Sequence, residues 1–294
     1  MKLRGVFTAL VTPFKYGEVD EDALKALIDF QVKAGVDGIS PCGTTGEAST
    51  LSWEEHERVI SLAIKWAGHV PVVPGTGSNS TKETVELTQI AKDLGASAAL
   101  VVAPYYNRPT QEGLYLHFKK VAEEVDIPLI LYNIPARTGV NMLPELVARL
   151  ARVPGIAAIK EASGSMQQAA DIYRLTGGKL PILSGDDNLL LPLMAVGASG
   201  VISVVSNILP QRMKELVVAW LDENDRKKAL DLHTGLMPLC NAMFVETNPV
   251  PVKEALYHMG MIEKDVRLPL CGLSRQSSEL LTAVLKEYGL YRRE

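Results

Sequence analysis

Three cysteines, Cys42, Cys240 and Cys271, are all that the 294-residue sequence offers for covalent cross-linking; their number is odd and their spacing wide. That excludes a disulfide framework and fits a reducing compartment, so a cytoplasmic setting is expected. The five histidines, His56, His69, His117, His233 and His258, form no H-x-x-x-H or other ligand spacing, which leaves a metal site without support. Neither sign of charge is in large excess: the net charge is −4, with no general basic face, which argues against nucleic acid as a partner. No apolar run reaches about 18 residues, so no membrane span is expected. The N-terminal "MKLRGVFTALVTPFKYG" starts basic and turns apolar. Its apolar part is short, is broken by Thr8, Thr12 and Pro13, and lacks an A-x-A site. It reads as a first strand rather than a signal peptide.

Hydrophobic residues make up 47% and charged residues 22%, the composition of an ordinary globular protein. The length allows two domains or one α/β barrel. Eight near-continuous apolar runs recur: "GVFTALVTPF", "GVDGISPCGTT", "VPVVPGTG", "ASAALVVAPYY", "IPLILYNIP", "GIAAIKEAS", "LPILSGDD" and "GVISVVSN". Such runs suit parallel strands buried on both faces. Segments of helical period lie between them. Leu87, Ile90, Ala91 and Leu94 fall at i, i+3, i+4 and i+7, with Gly95 as a stop. Ser52 with Glu55, Ser80 with Glu83 and Ser165 with Gln168 read as capping boxes, and Pro144 suits a first helical position. Strand starts recur every ~20 to 32 residues, the size of one βα unit. The fold expected is α/β, a (β/α)₈ TIM barrel over residues 1–222 with a C-terminal helical extension over 223–294. A doubly wound sheet is the alternative; it usually has fewer strands, and the first βα turn here lacks G-x-G-x-x-G.

In such barrels the C-terminal strand ends face the active site. The second run delivers Thr44 and Thr45, the third "GTGSN", the fourth Tyr105 and Tyr106, and the fifth Tyr132 and Arg137. The sixth ends on Lys160, the seventh delivers Gly185, and the eighth Ile202 and Ser203. No carboxylate cluster converges with them, which disfavours glycosidase or two-metal chemistry.

Each residue also has a plain structural reading. Lys160 could pair with Glu161, its neighbour in sequence, or with an aspartate. Tyr132 could fill the core, "TTG" could be a turn with hydroxyl caps, and "SGDD" a helix N-cap. The glycines of "GTGSN" could serve a phosphate or close backbone approach. Arg137 could be a surface cation, the Tyr pair an interface, and His56 a residue on a solvated helix face. Taken together the set is more specific. A buried ammonium is costly and tends to shed its proton, and a free amine attacks carbonyls. A nearby phenol can shuttle the protons that imine formation needs, and paired threonines with loop N–H groups can hold a carboxylate. That combination fits a 2-keto acid bound as a Schiff base.

Eight motifs in order, "LVTPF", "GTTGE", "PYYNRPTQEGLYLHF", "LYNIPARTG", "IKEASG", "LSGDD", "GVISVVSN" and "FVETNPVPVK", span nearly the whole chain. The chain resembles the pyruvate-dependent class I aldolase superfamily of dihydrodipicolinate synthase and N-acetylneuraminate lyase. Within it the Thr-Thr pair, "PYYNRP" and the arginine of "PxRTG" look like the dihydrodipicolinate synthase family. The resemblance implies condensation of pyruvate with L-aspartate 4-semialdehyde to 4-hydroxy-tetrahydrodipicolinate, for lysine and diaminopimelate biosynthesis. The alternatives are N-acetylneuraminate lyase, 2-keto-3-deoxygluconate aldolase, or a non-catalytic keto-acid-binding barrel.

It further implies that Lys160 forms the imine, with no other cofactor, and that Tyr132, Thr44 and Tyr106 relay protons. Tyr106 would reach into a neighbouring subunit of a homotetramer, a dimer of dimers. Thr45 would hold the pyruvate carboxylate and Arg137 the semialdehyde carboxylate, while Gly185 and Ile202 would border the substrate. Ala48, Ser49, His56, Asn79, Glu83 and Tyr105 match an inhibitory lysine site, where Trp53 could add a cation–π contact.

Overall fold

The computed structural model describes residues 2–292. Its strands are β1 (Gly5–Ala9), β2 (Phe14–Lys15), β3 (Glu18–Val19), β4 (Gly38–Ser40), β5 (Ala99–Val102), β6 (Leu129–Asn133), β7 (Ile156–Glu161), β8 (Ile182–Ser184) and β9 (Gly200–Ser203). The helices between and after them are α1 (Glu21–Ala34), α2 (Trp53–Ala67), α3 (Thr81–Asp93), α4 (Gln111–Glu124), α5 (Pro135–Thr138), α6 (Pro144–Leu150), α7 (Met166–Thr176), α8 (Leu190–Ala195) and α9 (Pro210–Leu221). Three more follow: α10 (Arg226–Ala242), α11 (Val250–His258) and α12 (Arg275–Glu287).

Seven strands form one parallel sheet in the order β4-β1-β9-β8-β7-β6-β5, and β2 pairs with β3 in a small antiparallel ribbon. The third apolar run, residues 70–76, fills the gap between β4 and β5. On one side the Ile39 N–H donates to the Pro71 carbonyl (2.9 Å) and the Val73 N–H to the Ile39 carbonyl (2.8 Å). On the other, the Leu100 N–H donates to Pro74 (2.8 Å) and the Thr76 N–H to Leu100 (3.0 Å). Pro71 and Pro74 have no N–H, so the ladder is interrupted and only isolated bridges remain. All eight runs therefore take barrel positions, and the barrel closes.

Closure divides the core in two. Phe7, Val73, Leu100, Ile130, Tyr132, Ala158, Leu183 and Ile202 fill the inside of the barrel. Leu129, Leu131, Ile159 and Val201 face outward and pack with the helices. The period of two along β7 puts Ala158 inside and Ile159 outside, so Lys160 points in and Glu161 out.

The helix signals hold unevenly. Ser52 and Glu55 close a reciprocal capping box on α2. Ser80 and Ser165 accept from the N–H of Glu83 and Gln168, but neither reciprocal arm forms. Glu83 takes the Ser78 hydroxyl instead (2.6 Å), and Gln168 donates to Asn141 and Glu161. These two are half-boxes, because a stronger partner captures the returning side chain. On α3 the buried stripe is Thr84, Thr88 and Ala91, while Leu87 and Ile90 stay half-buried. Pro144 does occupy the first turn of α6.

The last three helices lie against the barrel, α10 on α8 and α9, and α12 on α10 and α11. Two segments of this extension, around Asn248–Lys253 and Arg267, run back to the mouth of the barrel.

Candidate active site

Strands β6 and β7 set Tyr132 and Lys160 side by side as register partners. Lys160 is 6% exposed, and its Nζ lies 4.2 Å from the centroid of the Tyr132 ring. Among the described residues no carboxylate stands within ion-pair distance of it. Glu161 is on the other face of the strand, where it accepts from the Ser163 N–H (2.7 Å), the Asn133 amide (3.1 Å) and the Gln168 amide (3.2 Å). The ion pair of sequence neighbours is thus ruled out by the pleat. Burial pushes the Glu161 carboxyl up, with these hydrogen bonds opposing it. Burial also raises Asp186, and the charge of Lys160 counters that rise.

Gly185 makes room for the lysine arm. A Cβ there would stand 2.5 Å from the Ala162 Cβ and 3.2 Å from Lys160 Cε. The "SGDD" stretch does not cap a helix: Asp186 makes no side-chain cap bond to the following turn. Asp187 Oδ2 instead accepts from the Val204 and Val205 N–H groups (2.9 Å each), which fixes the chain just past Ile202 and Ser203.

The "GTTGE" segment is a turn. The Gly46 N–H donates to the Gly43 carbonyl (3.1 Å) and the Glu47 N–H to the Thr44 carbonyl (3.2 Å). Cys42 and Glu47, at φ +54° and +53°, bracket it in left-handed conformations unusual for side-chain-bearing residues. Thr45 is buried, and its Oγ1 accepts from the Asn248 Nδ2 (3.0 Å). That leaves the Thr45 hydroxyl hydrogen free to donate elsewhere. The "GTGSN" glycine serves close approach: a Cβ on Gly75 would lie 2.2 Å from the Cys42 carbonyl oxygen. Burial pushes the Cys42 thiol up, so it is no thiolate nucleophile here.

A cavity of about 460 Å³ opens at this end of the barrel, bordered by Thr44, Tyr132, Arg137 and Asn248. The Tyr132 hydroxyl has no hydrogen bond within the described residues. Arg137 sits on the short helix α5, and its guanidinium donates to the Asn248 carbonyl (3.0 Å). Ile202 is fully buried in the inner layer with Tyr132. Tyr106 does not border this cavity. It is 89% exposed at φ +73°, so one chain alone does not bring it to Tyr132 and Thr44. An exposed ring on a strained backbone is the kind of feature that a second surface explains.

The same cavity runs on to Ala48, Ser49, Trp53, His56, Glu83 and Tyr105. Asn79 is not on its wall; its carbonyl accepts from the Asn107 amide (2.8 Å). His56 is not a solvated residue: it is 7% exposed, with Nε2 2.8 Å from the Gly75 carbonyl. Burial lowers its pKa, and the hydrogen bond to Gly75 opposes that. The signal was present, since Val59, Ile60 and Ala63 continue its stripe on α2.

Sequence reasoning missed the contribution of the extension. Asn248 ties Thr45 to Arg137. Lys253 and Glu47 form an ion pair of 2.6 Å with both side chains 1% exposed. Burial lowers Lys253, and the Glu47 charge opposes that. Arg267 donates its N–H to Glu47 Oε2 (3.1 Å) and its guanidinium to Glu55 and the carbonyls of Thr50 and Gly17. The "FVETNPVPVK" motif held Asn248 and Lys253, but Thr45 and Glu47, the residues they meet, lie more than 200 positions away. Among the described residues no three His, Cys, Asp or Glu side chains stand together as a metal set, and no helix is long and apolar enough to cross a membrane.

A sequence model described as the Dihydrodipicolinate synthetase family matches residues 2–288. The 4-hydroxy-tetrahydrodipicolinate synthase of Pelobacter propionicus is 55% identical over 288 residues, 98% of this chain and 99% of that protein. The chloride-inhibited dihydrodipicolinate synthase of Acinetobacter baumannii, solved in complex with pyruvate, is 46% identical with a TM-score of 0.96, covering 98% of this chain and 100% of that one. The enzyme of Cyanidioschyzon merolae, solved with lysine bound, is 39% identical with a TM-score of 0.95, covering 98% of each chain.

Proposed function

The chain belongs to the dihydrodipicolinate synthetase family, and from that premise we infer that it condenses pyruvate with L-aspartate 4-semialdehyde to give 4-hydroxy-tetrahydrodipicolinate. The observation that carries this reading is a buried lysine without a carboxylate partner, set against a free phenol on the wall of a cavity that also holds Thr44 and Arg137.

The Lys160 amine attacks the pyruvate keto carbon to form a carbinolamine, which loses water to give an imine. A methyl proton leaves, and the resulting enamine carbon attacks the aldehyde of the second substrate. That substrate's own amine then adds to the imine carbon, expels Lys160 and closes the ring. Tyr132 and Thr44 move the protons these steps release and consume, with Tyr106 of a neighbouring subunit completing the relay. Thr45 donates to the pyruvate carboxylate, and the Arg137 guanidinium takes the semialdehyde carboxylate. Gly185 keeps the lysine arm unobstructed, and Ile202 closes the wall behind it. The imine is the enzyme's own, so this chemistry needs no metal or added cofactor.

The assembly that fits this relay is a homotetramer, a dimer of dimers, in the cytoplasm. Residues 1–222 supply the barrel and 223–294 the extension. The shared cavity supports a second role for Ala48, Ser49, His56, Glu83 and Tyr105 as a lysine-responsive mouth.

A coupled assay offering pyruvate with the semialdehyde, and separately N-acetylneuraminate and 2-keto-3-deoxygluconate for cleavage, tests the reaction. Fastest turnover of the semialdehyde is expected; faster turnover of a sugar acid sinks the reading. Borohydride with pyruvate should mark the peptide that contains Lys160.

A further inference from the structure

The Thr44–Thr45 turn does not hold its shape through its own sequence. Two side-chain-bearing residues flank it in left-handed backbone, Cys42 at φ +54° and Glu47 at φ +53°. Such conformations persist only where surrounding contacts enforce them. Cys42 is held by its crowded neighbours, with the Gly75 backbone against its carbonyl. Glu47 is held by charge. Its Oε1 pairs with the Lys253 Nζ at 2.6 Å and its Oε2 accepts the Arg267 N–H at 3.1 Å, so both oxygens are engaged by the C-terminal extension. Among the described residues Lys253 has no second carboxylate within ion-pair distance, and its Nζ rests 4.2 Å over the Phe14 ring. Glu47 also borders the cavity, three positions from Thr44.

We infer that Glu47 and Lys253 are positioning residues for the first substrate, their buried ion pair holding the Thr44–Thr45 turn in the shape that receives the pyruvate carboxylate. The inference rests on the pyruvate reading above. The physical argument concerns where an unpaired charge goes. With Lys253 gone, Glu47 is a nearly buried carboxylate without its cation, and such a charge is costly. The cavity that Glu47 borders is the nearest polar space. Turning the carboxylate into it means leaving the left-handed backbone, which carries Thr44 and Thr45 with it. Neutralising Glu47 removes that drive, so a second substitution should repair the first.

The experiment measures KM for each substrate, and the rate of pyruvate trapping by borohydride, in the full chain and three variants. Lys253→Met should raise the KM for pyruvate by at least about 10-fold and slow trapping in proportion, with the KM for the semialdehyde within about twofold. Lys253→Arg keeps the cation and should stay within about threefold of the parent. Glu47→Gln in the Lys253→Met background should recover most of the loss. The double variant buries no lone charge, so it reports even if Lys253→Met does not fold. The inference is overturned if both KM values rise together, if only thermal stability falls, or if the double variant binds pyruvate no better than a folded Lys253→Met. If the unaltered enzyme is not trapped by pyruvate and borohydride, the pyruvate reading fails and takes this inference with it. Trapping of the parent, with unmoved pyruvate KM in the variants, sinks this inference alone.

Discussion

Lys160 and Lys253 are 6% and 1% exposed, and each holds its Nζ 4.2 Å from the centroid of an aromatic ring, Tyr132 for the first and Phe14 for the second. They differ in what answers the amine. Lys253 is matched by the Glu47 carboxylate at 2.6 Å, in a place closed to solvent. Lys160 has no such partner among the described residues and stands against Tyr132, which lines the cavity. Burial alone therefore does not mark a reactive lysine. A matched amine is committed to holding two segments together. An unmatched one is left available to a carbonyl.

Exchanging each lysine for methionine should separate the two roles. Lys160→Met should lower turnover by at least about 10³-fold, since the proposed mechanism forms its covalent bond there. Its stability should stay within about 1.5 kcal/mol of the parent, because no partner is stranded and the volume is nearly kept. Lys253→Met should do the reverse in emphasis. Removing one member of a buried pair costs about 3–5 kcal/mol of stability, read by denaturant unfolding. Equal destabilisation by the two substitutions would break the comparison.

A third buried base shows the remaining option, which is to give up the charge. Burial pushes the His117 imidazole down to about 4 from 6.5, with Thr81 against its Nδ1 at 2.9 Å. Below pH 6.5 the unfolded chain takes up a proton that the folded chain excludes. This stabilisation is full above that pH and is lost as the pH falls toward 4, up to about 3 kcal/mol. His117→Gln should flatten that part of the stability profile in unfolding curves taken between these pH values. His56 and His233 are lowered by burial as well and should add slope of the same sign.

The two lysines were also unequal in the sequence. Lys160 was legible because a short apolar run ends on it. The eight barrel runs were legible as near-continuous apolar stretches, even where Pro71 and Pro74 interrupt the ladder. Lys253 follows "NPVPV", whose two prolines read as a break, and its partner lies 206 positions earlier. Pairing at that separation leaves no local period to read. The half-boxes at Ser80 and Ser165 failed for a related reason: the pattern specifies a possible partner, and tertiary neighbours such as Ser78 and Asn141 compete for it.

Tyr132 shares its ring with Lys160, so a substitution there tests whether the unpaired lysine works alone. Tyr132→Phe keeps the ring and removes the hydroxyl. Turnover should fall by roughly 10²-fold, the scale of general acid–base catalysis, with trapping at Lys160 slowed and not abolished. A near-native rate would mean that other groups carry the protons.

The smallest effect belongs to the cation that is neither buried nor committed. Arg137 is exposed at the cavity, with one guanidinium nitrogen on the Asn248 carbonyl and the remaining donors unassigned within the described residues. Arg137→Lys keeps the charge and loses the planar fork, so any loss measures geometry rather than charge. Two parallel N–H donors suit a carboxylate, and a single ammonium cannot hold both oxygens while reaching Asn248. The KM for the semialdehyde should rise about 10-fold, with the pyruvate trapping rate at Lys160 nearly unchanged. The asymmetry matters more than the size. In the proposed mechanism Lys160 and Thr45 serve the first substrate, and Arg137 serves the second from the rim of the cavity. Slower trapping in Arg137→Lys would show that the rim shapes the first step too, through the shared contact with Asn248.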